Sequence, residues 1–217
     1  MSRRIHPTAI VEAGATIGNG TAVWDNAHIR SGATVGCDCI VGEKSYLAPG
    51  AVVGDRVKIN AFVYVCTAVT IADGVMISAG VIFTNDRFPR ATTPDLQQMR
   101  TSDPDEHTRN TYVGDGATIG AGAVIGCDLT IGRFAMVGMG AVVTRSVGDF
   151  CLVLGNPARL AGAVCRCGQL VARFSAIPPD GISFACPECE RSYTVALGRV
   201  LDGAGANATE ERCVPTR

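Results

Sequence analysis

This sequence has no long apolar run, almost no net charge and few histidines. Each of these features argues against a class of protein or of site. No apolar run approaches the roughly 20 residues of a membrane-spanning helix, so we expect no membrane anchor. The formal net charge is −1 over 217 residues, which argues against a nucleic-acid-binding protein, because such proteins carry a basic face. Three histidines, His6, His28 and His107, leave few candidates for a histidine base.

We also expect no secretory leader. Residues 1–7 lead directly into the repeat described below, without the apolar stretch of a signal peptide. This predicts a cytoplasmic protein. Ten cysteines in a reducing compartment are then interpreted as core thiols or metal ligands rather than as disulfides.

A ladder of large apolar residues with a step of six organises most of the chain. It runs from Ile5 to Phe83 and resumes from Val113 to Val143. Four residues after each large residue comes a small or β-branched one, and glycine often follows the large residue. This spacing fits neither a helix nor a flat strand. It predicts a parallel β-helix solenoid, in which coils stack and equivalent residues lie above each other.

The ladder is interrupted by a polar segment at 84–112 that contains three prolines. Insertions in repeat proteins lie on the surface and often form the binding face. We therefore predict an inserted loop with a functional role. Trp24 and Asn60 occupy the turn position that glycine usually takes, and both should face outward.

Four cysteines near the end of the chain form two pairs separated by a spacer: Cys165 and Cys167, then Cys186 and Cys189. Two such pairs are typical of a zinc ribbon with four cysteine ligands, although the first has the less regular C-x-C spacing. Four thiolates would close the coordination shell, so the predicted zinc is structural. From residue 201 onward we expect a disordered tail.

The ladder and the segment 154–162, which contains Gly-Asn-Pro-Ala-Arg, resemble the hexapeptide-repeat acyltransferases. The resemblance implies an all-β fold with a left-handed parallel β-helix, an inserted loop and a small C-terminal zinc-ribbon-like module. The expected units are the β-helix at 1–145 with its loop at 84–112, a closing segment at 146–162, the module at 163–200 and the tail at 201–217. The hexad period itself leaves the hand open.

Within that family, residues 81–90 and the opening His6-Pro7-Thr8-Ala9 resemble nucleotide-sugar 3-N-acetyltransferases. The resemblance implies transfer of an acetyl group from acetyl-CoA to the 3-amino group of a UDP- or dTDP-linked amino sugar. It also implies a homotrimer with active sites between neighbouring prisms, and a key active-site role for Asn85. Asp25 and Cys66 depart from the usual family residues, which leaves the particular sugar open.

The candidate site residues fall into three groups. Asn85 and Asp86 are the catalytic candidates, with Asn85 orienting the amine and Asp86 accepting its proton. The substrate-binding candidates, whose arginines match phosphate geometry, are Trp24, His28, Asn60, Arg87, Arg90, His107 and Arg109. The cofactor-binding candidates are Gly120, Gly122, Gly138, Gly140 and Arg145.

Three alternatives remain open at this point. A γ-type carbonic anhydrase would share the fold, but it needs three histidines on one zinc. A non-catalytic solenoid could bind a protein partner through its zinc module. An acyltransferase could also act on a 4-amino sugar or another small amine.

Overall fold

Each hexad forms one short strand. The computed structural model describes residues 2–203, and no helix in that range is long and apolar enough to cross a membrane. The strands of the repeat are β1 Arg4–Ile5, β2 Ile10–Val11, β3 Thr16–Ile17, β4 Ala22–Val23, β5 His28–Ile29, β6 Thr34–Val35, β7 Ile40–Val41, β8 Tyr46–Leu47, β9 Val52–Val53, β10 Lys58–Ile59, β11 Tyr64–Val65, β12 Val69–Ile71, β13 Met76–Ile77, β14 Ile82–Phe83, β15 Thr111–Val113, β16 Thr118–Ile119, β17 Val124–Ile125, β18 Thr130–Ile131, β19 Met136–Val137 and β20 Val142–Val143.

Three hexads make one coil, so strands three apart in sequence are neighbours in a sheet. Sheet A contains β1, β4, β7, β10, β13, β16 and β19, sheet B begins at β2 and ends at β20, and sheet C begins at β3 and ends at β18. Pairing between coils is parallel, and Ile5 lies beside Val23, which lies beside Val41. The predicted solenoid of stacked hexads is confirmed.

The large residues of the ladder fill the prism. From Ile17 to Val143, every one of them is at most 3% exposed. Burying a side chain of this size stabilises the fold by roughly 1.5–3 kcal/mol. Ile5, in the first coil, is 42% exposed, because no coil lies beneath it.

Polar residues in the small inward column join successive coils. The Thr21 hydroxyl donates to the Gly36 carbonyl at 2.7 Å and accepts from the Cys39 amide at 3.0 Å. Ser45 repeats the arrangement on the next side of the prism. These bonds satisfy backbone groups at the turns that would otherwise be buried without partners.

Three rows of turns separate the sheets, and we name them by the sheets that they join. The A/B corner comprises residues 24–27 and their equivalents in later coils, and the B/C corner comprises residues 30–33 and their equivalents. At the C/A corner, Asp55 Oδ1 accepts the Cys37 amide at 2.7 Å and Asp73 Oδ1 accepts the Asp55 amide at 2.9 Å. Each aspartate thus binds the coil before its own.

The end of the solenoid is closed by antiparallel strands. These are β21 Cys151–Leu154, β22 Arg159–Val164 and β23 Leu170–Arg173, followed by the separate sheet of β24 Ser183–Ala185, β25 Ser192–Ala196 and β26 Arg199–Asp202. β21 pairs with β19, and β22 and β23 extend sheet A.

Two predicted boundaries differ from the structure. The module expected at 163–200 begins within β22, because that strand continues sheet A from the closing segment. The tail expected at 201–217 begins too early, since residues 201 and 202 pair within β26. The rest of that predicted tail, 204–217, lies outside the described residues.

We expect Gly42→Ala to destabilise the solenoid by about 1–3 kcal/mol, as overpacking in a tight interior does. A Cβ at Gly42 would lie 2.5 Å from the Asn60 carbonyl carbon in the next coil. The measurement is the free energy of unfolding in denaturant. Ser78→Ala, which lies in the same column of the A/B corner, is the control and should change it by less than about 0.5 kcal/mol. Equal effects of the two changes would contradict this account of the corner.

Candidate functional site

The inserted loop leaves and rejoins the solenoid without disturbing its stacking. It occupies 84–110, two residues fewer than predicted, because Thr111 and Tyr112 belong to β15 and pair with β12. At its base, Asp86 and Thr108 form an antiparallel bridge, and the Arg109 amide donates to the Asn85 carbonyl at 2.8 Å. The loop therefore rises from the B/C corner on a closed two-stranded stem.

The two predicted catalytic residues lie side by side on this stem with different surroundings. Asn85 is half-buried, and its side-chain amide has no hydrogen-bond partner within residues 2–203. Asp86 Oδ1 accepts the Phe88 amide at 2.7 Å, and its Oδ2 lies 3.9 Å from the Arg100 guanidinium. The amide of Asn85 is thus available to a ligand, whereas Asp86 already organises the loop.

His107 is held in the same loop. Its ring meets Phe88 edge to face at 6.1 Å, and its amide donates to Asp105 at 2.8 Å. This bond, together with the Arg100 guanidinium, lowers the pKa of Asp105. The His107 ring is therefore positioned by loop contacts a few residues from the stem.

The loop arginines differ in how far their charge is balanced. Arg87 lies 3.3 Å from Asp128 of the following coil. Arg90 donates to the Pro89 carbonyl at 3.0 Å and Arg109 to the Glu106 carbonyl at 2.7 Å. Within the described part of the chain, Arg90 and Arg109 contact no carboxylate, so both can still bind an anion.

Trp24 and Asn60 occupy one column of the A/B corner, with Gly42 between them. Trp24 faces outward as predicted, at 44% exposure, and the Arg4 guanidinium lies 5.2 Å from its ring centre. The same column continues upward through Ser78 to the predicted cofactor residues Gly120 and Gly138.

In the column two residues further along this corner, the residue type changes from the early to the later coils. In the early coils Asn26, Lys44 and Phe62 occupy it with φ between 55 and 59°. In the later coils the same turn is made by Gly80, Gly122 and Gly140. Because residues with side chains adopt this conformation nearby, the backbone does not force glycine here. A Cβ at either Gly122 or Gly140 would meet nothing within 4 Å, so these glycines leave a bare strip of backbone.

His28 lies on the outer face of sheet B in a polar and aromatic ladder that sequence reasoning missed. Its Nε2 is 2.9 Å from Glu12, and Glu12 is also 2.6 Å from Arg30. The Ser31 amide and His28 both lower the pKa of Glu12 by hydrogen bonding.

Tyr46 and Tyr64 continue this ladder. Their rings are stacked at 5.3 Å with an interplanar angle of 4°, and the Arg30 guanidinium donates to the Tyr46 hydroxyl at 2.6 Å. Counting by 18 from His28 identifies this column in the sequence, once three hexads are known to form a coil. His28 lies three coils below Ile82, about 14 Å at the usual strand spacing, and is therefore distant from the loop stem.

The structure separates the candidate residues into distinct regions of one chain. The stem residues and His107 lie at the B/C corner, while Trp24, Asn60 and the four glycines lie along the A/B corner. Asn85 lies five residues after Gly80, on the other side of sheet B, a span of roughly 16 Å if the chain is extended. Arg145 follows β20, near the end of the B/C corner, and is separate from the glycines with which it was grouped.

The four C-terminal cysteines converge as predicted. Cys165 Sγ lies 3.4 Å from Cys189 Sγ, Cys167 Sγ lies 3.5 Å from Cys186 Sγ, and all four sulfurs are within 4.8 Å of one another. A tetrahedral zinc with Zn–S bonds of about 2.3 Å requires sulfurs about 3.8 Å apart. The donor set and its spacing therefore fit a structural zinc.

Surrounding groups support this cluster. The Tyr193 hydroxyl donates to Cys165 at 3.1 Å and accepts the Arg166 amide at 2.9 Å. Burial raises the pKa of Cys165, but hydrogen bonds from the Cys167 amide and Tyr193 outweigh it and lower the pKa to about 6. Such donors to a ligand sulfur are typical of metal sites. Among residues 2–203 this is the one group of His, Cys, Asp and Glu side chains close enough to share a metal.

The three histidines of the carbonic anhydrase alternative do not converge in one chain. His6 follows β1 at the first coil, His28 lies on sheet B and His107 lies in the inserted loop. Cys66 offers no better catalytic group, because burial raises the pKa of its thiol to about 12.

Comparison with known proteins agrees with the repeat. Residues 110–145 match the family described as "Bacterial transferase hexapeptide (six repeats)". A stretch of 57 residues is 47% identical to a dTDP-3-amino-3,6-dideoxy-α-D-galactopyranose 3-N-acetyltransferase from Aneurinibacillus thermoaerophilus. That match covers 26% of this chain and 30% of the relative.

Several solved structures are similar in outline. The acetyltransferase domain of PglB from Neisseria gonorrhoeae, in complex with acetyl coenzyme A, is 24% identical over 73% of this chain and 57% of its own, with a TM-score of 0.39. A point mutant of AntD, an N-acyltransferase from Bacillus cereus, in complex with dTDP-4-amino-4,6-dideoxyglucose and coenzyme A, is 18% identical over 74% and 83%, with a TM-score of 0.44. In its repeat and stacked coils the chain resembles the hexapeptide-repeat proteins, with the family match confined to residues 110–145, and over 57 residues it is similar to a nucleotide-sugar 3-N-acetyltransferase.

Proposed function

We propose that this protein is an N-acetyltransferase that moves an acetyl group from acetyl-CoA to the 3-amino group of a UDP- or dTDP-linked amino sugar. The main structural support is the inserted loop, which interrupts the solenoid without disturbing its register and holds the unpartnered amide of Asn85 at its stem. The sequence likeness to a dTDP-3-amino-sugar 3-N-acetyltransferase favours the 3-amino position.

The bare strip of the A/B corner is the proposed path of acetyl-CoA. Gly122 and Gly140, with Gly120 and Gly138 beside them, offer backbone amides and carbonyls without intervening side chains. An extended pantetheine arm carries amides that can bond to such a strip. This assignment uses the glycines predicted from the sequence and does not require Arg145.

A homotrimer would unite the two regions. In one prism the loop stem and the glycine strip lie on different corners, so neither corner alone presents both donor and acceptor. A neighbouring copy can bring its glycine strip to this loop. We therefore infer that each active site is formed between two subunits, with Trp24, Asn60 and the loop arginines binding sugar and nucleotide.

The chemistry needs a neutral amine close to the thioester and a stabilised oxyanion. The amine nitrogen attacks the acetyl carbonyl carbon and the C–N bond forms. The C–S bond breaks, CoA leaves as its thiolate, and the nitrogen gives up one proton. The Asn85 amide can orient the amine. Asp86 stays the predicted proton acceptor. It would take up the proton while its Oδ1 also accepts a hydrogen bond from the Phe88 amide. His107 is the alternative acceptor within the same loop.

Two other activities would use the same fold. A 4-amino sugar or another small amine requires only a different acceptor under the loop. A non-catalytic scaffold would retain the four-cysteine cluster but has no use for a half-buried, unpartnered asparagine at a loop stem.

The four-cysteine cluster is proposed to hold one structural zinc, bound by Cys165, Cys167, Cys186 and Cys189. The first pair lies in the turn between β22 and β23, the two strands that extend sheet A. The second pair lies between β24 and β25 of the separate sheet. The metal would thus connect the small sheet to the solenoid. We place the protein in the cytoplasm, where acetyl-CoA is expected.

We expect Asn85→Ala to lower kcat/KM by about 100-fold or more, since it removes a positioned polar group from the transition state. The assay is release of the CoA thiol with UDP- and dTDP-linked 3-amino and 4-amino sugars. Asn110→Ala, at the other end of the same loop, is the control and should stay near wild type. Near-normal turnover by Asn85→Ala would reject its role, and turnover with 4-amino sugars alone would reject the 3-amino assignment.

Gly122→Asn should weaken acetyl-CoA binding about tenfold or more while the fold remains intact. The reason is that Asn26 adopts the same left-handed turn at the equivalent position, so asparagine fits the backbone and obstructs only the strip. The measurement is calorimetric titration with acetyl-CoA. Gly50→Asn, at an equally open left-handed turn of the B/C corner, should bind normally. If Gly122→Asn binds acetyl-CoA with unchanged affinity, the cofactor does not bind along this strip.

Metal analysis should find about one zinc per chain, and Cys186→Ser should lose it and unfold at a lower temperature. The reason is that three remaining thiolates no longer close the coordination shell. Cys127→Ser, a half-buried cysteine outside the cluster, should retain the metal. Metal-free wild-type protein with an unchanged unfolding temperature after chelation would disprove the zinc assignment.

A further inference from the structure

A cavity of about 740 Å³ lies between the last coil and the C-terminal strands. Val143, Val147 and Val153 line it from the end of the solenoid core, and Ile177 and Val200 line it from the following segments. The cavity exists because sheet C has no strand above β18, where only a single bridge joins Ile131 to Val147. Its size suits a nucleotide-sized ligand, since such pockets measure roughly 300–1,000 Å³.

Four arginines and one aspartate line this cavity. Arg133 is neutralised, because its guanidinium donates two hydrogen bonds to Asp149 at 2.9 and 2.8 Å. The other three are Arg145, Arg159 and Arg199, and within residues 2–203 none of them forms an ion pair with a carboxylate. They come from three separate segments: the turn after β20, the start of β22 and the start of β26.

Three guanidinium groups that form no ion pair with a carboxylate of residues 2–203 line one largely apolar cavity. All three side chains are exposed, so an anionic ligand can reach them. A cleft lined by one sign of charge next to low-dielectric walls concentrates the field and attracts the opposite charge. Guanidinium groups match the oxygens of phosphate in geometry as well as charge. The valine and isoleucine walls favour a ligand that also has an apolar or aromatic body.

We propose that this cavity binds a nucleotide-type organic phosphate, with Arg145, Arg159 and Arg199 contacting its phosphate groups and the apolar walls enclosing its body. Arg199 comes from the sheet that the cysteine cluster joins to the solenoid, so that sheet completes the pocket. The site lies at the end of the prism, and its Arg145 occupies the same column of the B/C corner as Asn85, two coils above it, or about 10 Å at the usual strand spacing. Binding at this cavity can be tested without the acetyl-transfer assay.

The test is calorimetric titration of the full-length, metal-loaded protein with adenosine 3′,5′-bisphosphate, UDP and pyrophosphate at low and at moderate salt. We expect at least one nucleotide to bind more tightly than pyrophosphate. Arg145→Gln and Arg199→Gln should each weaken that binding roughly tenfold, the usual effect of losing a hydrogen bond to a charged group. Arg173→Gln, an exposed arginine of β23 that does not line the cavity, is the matched control.

Competition with acetyl-CoA identifies the source of the phosphate. If saturating acetyl-CoA displaces the nucleotide, the pocket takes the phosphorylated end of the cofactor; if both bind together, it takes a separate nucleotide, and both results support the site. The proposal is overturned if no probe binds at millimolar concentration, or if Arg173→Gln weakens binding as much as the cavity variants do. Acetyl transfer is assayed separately, so loss of one activity does not obscure the other.

Discussion

In-register stacking of one coil on the next is the constraint on which the whole structure depends. Each strand of the repeat is only two or three residues long and has no stability alone, because an isolated pair of strands is marginal even when longer. Stability comes from repeating the same contact, with an apolar residue such as Ile59 between Val41 and Ile77 at every level. Adding or deleting one residue inside a coil would turn a whole column of side chains outward.

That constraint confines variation to the corners and the outer faces. The inserted loop is tolerated because its two ends meet on a closed stem and Val69 still pairs with Thr111. The A/B corner changes from Asn26 and Lys44 to bare glycine without altering the backbone. Functional features therefore lie in columns along the prism. The members of a column are found by comparing equivalent residues of successive coils.

At the end of such a prism, no further coil covers the apolar core of the last coil. Here the chain turns back, extends sheet A in the antiparallel direction and adds a small sheet with its own core around Phe150 and Tyr193. Phe134 of the last coil stacks on Phe150, and Arg166 lies 4.6 Å from the Phe134 ring. The cysteine cluster belongs to this closure, and the arginine-lined cavity is the space that residues 2–203 leave between the closure and the last coil.

The sequence alone determined the solenoid, because a six-residue period of large apolar residues fits neither a helix nor a flat strand but does fit stacked coils. It also identified the four cysteines as one cluster from their spacing. It also located the inserted loop, within two residues, from the break in that period. Only the tertiary structure decided which columns meet: that His28 lies with Glu12 and Tyr46 rather than with Asn85, and that Arg145 is separate from Gly140. The reason is physical. A period specifies which residues face inward, whereas neighbours on the surface depend on how many hexads complete a coil and where the chain turns back.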